Sequence, residues 1–100
     1  MEKRQVVVLA RVRAREGFEA EVERELLLLV APSRAEEGCV NYDLHRSTDS
    51  PALFMFHETW SSRADLDKHI SQPSMDAFDE RTEGMLAEPV EITFWERLEP

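Results

Sequence analysis

The sequence predicts an α+β domain: a four-stranded antiparallel sheet, in the element order β-α-β-β-α-β, with helices on one face. Three observations carry the prediction. Short apolar or alternating runs recur at 5–14, 39–47, 53–60 and 90–98. The stretches between the first two runs and between the last two repeat apolar residues at helical spacing. Glycine, proline or serine clusters punctuate most boundaries. At 100 residues the chain is one domain, residues 1–100, and a chain of this size buries roughly 65% of its unfolded surface, enough for one modest core.

Residues 5–14 are β-branched and nearly continuously apolar, and Glu16-Gly17 forms a turn after them. From Phe18 to Val30 the spacing predicts a helix. Phe18, Val22, Leu26, Leu29 and Val30 form its apolar stripe, and Glu19, Glu21, Glu23, Arg24 and Glu25 its wet face. Pro32 is expected to stop it. Glu37-Gly38 turns the chain into a strand at 39–47. The turn formers Ser47-Thr48-Asp49-Ser50-Pro51 then set the next strand, Leu53 to Trp60, at hairpin distance. Ser61-Ser62 open a helix, with Asp65 placed as the partner of a capping box, and Leu66, His69 and Ile70 share one face. Pro73 interrupts. A further helix over roughly 74–86 carries Met75, Phe78, Thr82, Met85 and Leu86, Pro89 ends it, and 90–98 is the last strand. This order is the split β-α-β, or ferredoxin-like, arrangement.

Composition excludes several function classes. Twelve Lys+Arg against 21 Asp+Glu leave a formal charge of -9, and the pI is near 4.7. Nucleic acid and anionic membrane surfaces require a basic footprint that this chain lacks. The lone Cys39 permits no intramolecular disulfide and no four-cysteine zinc site, in keeping with a reducing cytoplasm. The basic start Met1–Arg4 leads into an apolar run, 6–10, that is too short for a signal-peptide core, and no run approaches the ~20 residues of a membrane span. With three glycines in the chain there is no phosphate-cradling loop. His45, His57 and His69 are not at zinc-motif spacing, so no metal is expected.

The apolar pattern also bears on assembly. Helices cover one face of such a sheet, and the other should read polar at alternate positions. Instead Val6-Val7-Val8-Leu9 and Phe54-Met55-Phe56 are apolar on both sides, and Phe94 and Trp95 point to opposite faces. A second copy covering the open face, giving a homodimer, is the expectation.

The residues that could carry chemistry cluster in the third strand and the helix after it. Phe54, Phe56, Glu58 and Trp60 share one face by alternation. Glu58 is a carboxylate among aromatics, so it needs a partner, for which Arg11, Arg13 and Arg46 stand on other strands, or it holds a proton. His69 lies on the apolar face of its helix. Tyr42 and His45 come from the neighbouring strand, on opposite faces. Cys39 reads as a small buried residue beside a turn.

Glu37-Gly38-Cys39 and Tyr42-Asp43-Leu44-His45-Arg46-Ser47, followed by Phe54, Glu58 and Trp60, and then Leu66, His69, Pro73 and Phe78, resemble in order and spacing the antibiotic biosynthesis monooxygenase (ABM) domain family. The resemblance covers essentially the whole chain. It implies a ferredoxin-like subunit in a dimeric α/β barrel-type assembly, with a pocket between sheet and helices. It also implies a choice of activities: cofactor-free oxidation of quinols or polycyclic phenols, haem degradation, or processing of the autoinducer-2 signal. The polyketide-oxidising branch places an Asn four residues before the strand-end Trp, where Phe56 stands here. The haem-degrading branch needs a first-strand Asn, where Ala10 and Arg11 stand. A phosphorylated autoinducer fits poorly with the charge of -9.

The expected function is therefore a quinol-type monooxygenase without metal, flavin or other cofactor, acting on a small aromatic or quinone-like ligand. His69 is the expected base, Trp60 and Phe56 the slot walls, and Glu58 an orienting or proton-accepting partner. His45 and Tyr42 are further substrate-binding candidates. An isomerase, decarboxylase or autoinducer-2-processing enzyme on the same pocket, and a dimeric binding module without chemistry, are the alternatives.

Overall fold

The computed structural model describes residues 4–100; Met1 to Lys3, part of the basic start, lie outside the described residues. The elements are β1 (Val6–Arg13), α1 (Glu19–Leu28), α2 (Val30–Arg34), β2 (Cys39–Arg46), β3 (Leu53–Trp60), α3 (Arg63–Ile70), α4 (Pro73–Arg81) and β4 (Glu91–Trp95). The four strands form one sheet in the order β2-β3-β1-β4, every pairing antiparallel. This is the ferredoxin-like fold that the sequence predicts. The split connection places β1 and β3 at the sheet's centre, so the residues of β3 lie between two ladders and away from either edge.

Alternation decides what each strand contributes. Val8, Ala10 and Val12 of β1 and Phe54, Phe56 and Trp60 of β3 face the helices and are buried with Val22, Leu26, Leu66 and Phe78. Burying a side chain of this size contributes about 1.5–3 kcal/mol, so this layer supplies most of the drive to fold. The other face carries Val7, Leu9, Met55 and Trp95 beside the polar Asn41, Asp43, His45 and His57. Its apolar part is thus concentrated on the first and last strands, and Trp95 there is 55% exposed. No helix of the described residues is long and apolar enough to cross a membrane.

Three boundaries differ from expectation. Pro32 does not stop the first helix. The helix breaks at Leu29, whose N–H turns to the carbonyl of Leu26 at 3.1 Å, and restarts as α2 with Pro32 inside its first turn. There an N–H has no helical partner, so proline loses nothing. The last helix ends at Arg81 and does not reach 86. The Thr82 hydroxyl bonds back to the Phe78 carbonyl at 2.9 Å, and Gly84 takes a φ of 81°. The chain then crosses to the end of β1, where the N–H groups of Arg15 and Ala87 donate to the carbonyls of Met85 and Arg13, each at 2.8 Å. The final strand is shorter than 90–98, ending at Trp95.

Candidate active site

A cavity of about 300 Å³ lies between the helix-facing side of the sheet and helices α3 and α4. Val8, Ala10, Val12 and Phe56 line the sheet side, and Leu66 and Phe78 line the helix side. Its inner end is polar, formed by Tyr42, Glu58 and His69. Its rim carries the exposed Ile70, Asp76, Asp79 and Ile92.

Glu58 stands at the middle of β3, opposite Val8 on one side and Tyr42 on the other. Its side chain is only 6% exposed. The period-2 spacing that aims Glu58 at the helices also places Trp60 on the same face, and the indole Nε1–H donates to Glu58 Oε1 at 3.0 Å. Burial pushes the Glu58 pKa above the ordinary carboxylate range, outweighing the pull of the Trp60 N–H and of His69. The arginines that could have neutralised it are engaged elsewhere: Arg11 with Glu91, Arg13 with Glu88 and Arg46 with Glu23.

His69 is delivered by α3. Ser62 caps that helix, accepting the Asp65 N–H at 3.2 Å and donating its hydroxyl to Asp65 Oδ2 at 3.0 Å. The His69 ring packs against Trp60, with centroids 4.5 Å apart, and meets Tyr42 edge-on at 5.4 Å. Its Nδ1 lies 3.0 Å from Glu36 Oε2 and 3.3 Å from Oε1. An ionised carboxylate only accepts, so the Nδ1 position carries the hydrogen, and the lone pair of a neutral ring sits on Nε2. That Nε2 is 4.0 Å from Glu58 Oε1, beyond hydrogen-bond reach. Glu36 therefore fixes the tautomer and orientation of a histidine whose basic nitrogen faces a second carboxyl. Glu36–His69 is the orienting half of the familiar carboxylate–histidine arrangement.

Tyr42 closes the same end. Its ring packs on Phe56, with centroids 4.5 Å apart, and burial pushes its pKa far up. Burial thus favours its neutral phenol form.

One corner holds the pair in register. Gly38 has a φ of 87°, and a Cβ added there would stand 2.3 Å from the Asp65 side chain. The Ser61 N–H donates to the Gly38 carbonyl at 2.7 Å. The turn carrying Glu36 and the helix carrying His69 are thus clamped together through Gly38, Ser61, Ser62 and Asp65.

The structure brings together four of the sequence candidates, Tyr42, Phe56, Glu58 and His69, around the cavity. Trp60 lies behind them. It is fully buried, does not line the cavity, and touches the site through its bond to Glu58 and its stacking on His69. His45 is not in the site. Strand alternation puts it on the open face, opposite Met55, where it is exposed, so its place among the substrate-binding candidates is corrected. Glu36 was missed because it lies in the turn before β2, outside any periodic element. The signal available was positional: a carboxylate two residues before a positive-φ glycine, at the sheet end where α3 also begins. Among the described residues, no group of three or more His, Cys, Asp or Glu is arranged to hold a metal ion.

Residues 5–81 match the family described as antibiotic biosynthesis monooxygenase. The chain belongs to this family. A solved structure of PA3566 from Pseudomonas aeruginosa superposes with a TM-score of 0.92 at 35% identity, covering 99% of each chain. The structure of Rv0793 from Mycobacterium tuberculosis gives 0.88 at 30% identity, over 96% of this chain and 97% of that one. The Rv0793 sequence, which carries a provisional monooxygenase name, is 34% identical over 88% of this chain and 86% of its own length. An uncharacterised Synechocystis protein, sll1783, is 36% identical over 66% of this chain, a match that spans 45% of that protein. An ABM-family protein from Nitrosomonas europaea has a TM-score of 0.89 at 18% identity, a likeness of fold alone.

Proposed function

We propose that the protein is a cofactor-independent monooxygenase of small dihydroxy-aromatic, quinol-type compounds. The observation that carries this reading is the Glu36–His69 pair, which presents the His69 Nε2 lone pair at the polar end of an otherwise apolar cavity. Its size supports a two-ring substrate: a cavity of roughly 150 Å³ accepts one benzene ring, and this one holds about 300 Å³.

A dihydroxyarene is an adequate reductant once ionised. His69 takes a phenolic proton at Nε2, and Glu36 stabilises the imidazolium through Nδ1. The electron-rich phenolate then reduces dioxygen directly. The substrate loses four electrons overall: one oxygen atom enters the ring to give a hydroxyquinone, and the other leaves as water, so no external reductant is needed. Glu58, whose burial favours the protonated carboxyl, protonates the departing oxygen and is itself reset from His69. Phe56 and Leu66 exclude water and align the ring. Because the Trp60 N–H is already committed to Glu58, Trp60 is a positioning residue in this scheme and not an oxyanion donor.

We further propose that the active form is a homodimer closed over the open sheet face, and that it works in a reducing cytoplasm. The exposed Trp95, with Val7 and Leu9 of the neighbouring strand beside it, supports the dimer. The single, unpaired Cys39 agrees with that compartment.

The test is oxygen uptake by chelator-treated protein with a menadiol-type substrate, set against buffer autoxidation. Enzyme-dependent uptake with a hydroxyquinone product is expected. Turnover under anaerobic conditions would instead favour an isomerase or decarboxylase on the same base, and ligand-induced thermal stabilisation without product would favour a binding module.

A further inference from the structure

We propose that the cavity selects an aromatic ligand bearing a protonated amine, which Asp76 and Asp79 hold at the rim while the ring lies against the His69 end. The inference rests on the cavity being the ligand site proposed above, and it adds a charge preference to it.

The charge along the cavity is one-sided. Glu58, His69, Asp76 and Asp79 line it, and no lysine or arginine does. Asp76 and Asp79 are three residues apart on α4 and so project from one face. Both are exposed, and no ion pair of the described residues includes either. The neighbouring Arg81 is taken by Glu25 and Arg63 by Asp67, the latter also lying over the Phe94 ring. Between rim and inner end the lining is apolar, with Met75 and Phe78.

The inner end adds one hydrogen-bond acceptor for a ligand, the His69 Nε2 left open by the bond of Nδ1 to Glu36. The His69 side chain is 5% exposed and lines the cavity, yet its Nε2 stands 4.0 Å from Glu58, without a hydrogen bond to it. A ligand satisfying both ends carries a hydroxyl for Nε2, an aromatic body for the apolar middle and a cation at the rim. A carboxylate or phosphate tail would meet two carboxylates on a chain of net charge -9. The same field raises the local concentration of cations and lowers that of anions.

Binding of three redox-inert naphthalene probes, differing only in an aminomethyl, hydroxymethyl or carboxylate tail, tests this by isothermal titration calorimetry. The amine is expected to bind about ten-fold more tightly than the alcohol, with the acid weakest, since each exposed charge contact contributes a factor of about 1.5–5. The advantage shrinks at high salt, and in the Asp76→Asn/Asp79→Asn variant the amine-to-alcohol ratio falls to within about two-fold. Both positions are exposed, so the variant is expected to fold, which circular dichroism checks. An alcohol that binds as well as the amine, or an advantage that survives the double substitution, overturns the charge preference and leaves the cavity reading standing. If no probe binds, the inference fails. Oxygen uptake with a neutral dihydroxyarene judges the oxygenase reading separately.

Discussion

Glu58 concentrates the chemistry at the scale of one residue. In water its carboxyl would ionise readily. Here it sits among Tyr42, Trp60 and His69, where burial favours the protonated form. The linkage has a definite sign. The folded protein keeps this proton to higher pH than the unfolded chain does. Unfolding therefore releases a proton in the window between the ordinary carboxylate value of 4.5 and the raised folded value. Stability falls as pH rises through that window, and the penalty is fully present above it. Glu58→Gln removes the titrating group. Denaturant melts across about pH 4 to pH 8 should therefore show the stability difference between variant and wild type moving steadily in the variant's favour as pH rises. A difference flat in pH would mean that Glu58 ionises freely in the folded state. That Glu58 and Trp60 share one face was legible in the sequence, because strand alternation puts residues at i and i+2 on the same side. The hydrogen bond between them was not, and the arginines the sequence offers as partners are engaged elsewhere. Glu36 was not legible either, since a turn residue has no periodicity to betray where it points.

Among the elements, the joint between the turn before β2 and α3 holds Glu36 against His69. Gly17 and Gly38 both take positive φ, at 94° and 87°, but only Gly38 also faces a side chain within contact distance. Comparing the two alanine variants separates backbone strain from the clamp. Gly17→Ala should cost about 1 kcal/mol from φ alone. Gly38→Ala adds displacement of Asp65 and loss of the Ser62 cap, for about 2–3 kcal/mol in all. Urea melts giving equal losses for both would show that the corner does not hold α3. The helix and strand order followed from periodicity, because each element buries one face. The break at Leu29 and the early end at Arg81 did not follow from it. Pro32 marks a helix end only if no helix restarts just before it, and the end at Arg81 depends on a return to β1 that pairs Ala14 with Leu86. Both are set by tertiary contacts, which local spacing does not record.

For the whole molecule, the sheet's two faces divide the labour. One face makes the core and cavity. The other carries an apolar band on β1 and β4 beside a polar network in which the Asn41 side-chain amide donates to the Asp43 carboxylate at 3.1 Å and to the His57 carbonyl at 3.0 Å. A polar zone on β2 and β3 beside an apolar band that runs through β1 to the exposed Trp95 resembles a subunit contact, where apolar and hydrogen-bonding groups mix, more than a plain solvated face. Sedimentation at micromolar concentration should give about twice 11.6 kDa, and Trp95→Glu should shift the population toward monomer. A wild-type species of 11.6 kDa throughout would contradict the dimer. With two copies, each carrying a charge of -9, the assembly becomes still less suited to nucleic acid.

We propose His69, oriented by Glu36, as the base of a reaction in which the substrate supplies its own electrons. Its most direct test is the rate of oxygen consumption with a menadiol-type substrate in chelator-treated wild type and His69→Ala. The wild type should consume oxygen well above buffer autoxidation, and loss of the base should lower the rate by about 10²- to 10⁴-fold. A wild-type rate equal to autoxidation, or a His69→Ala rate equal to wild type, would contradict it.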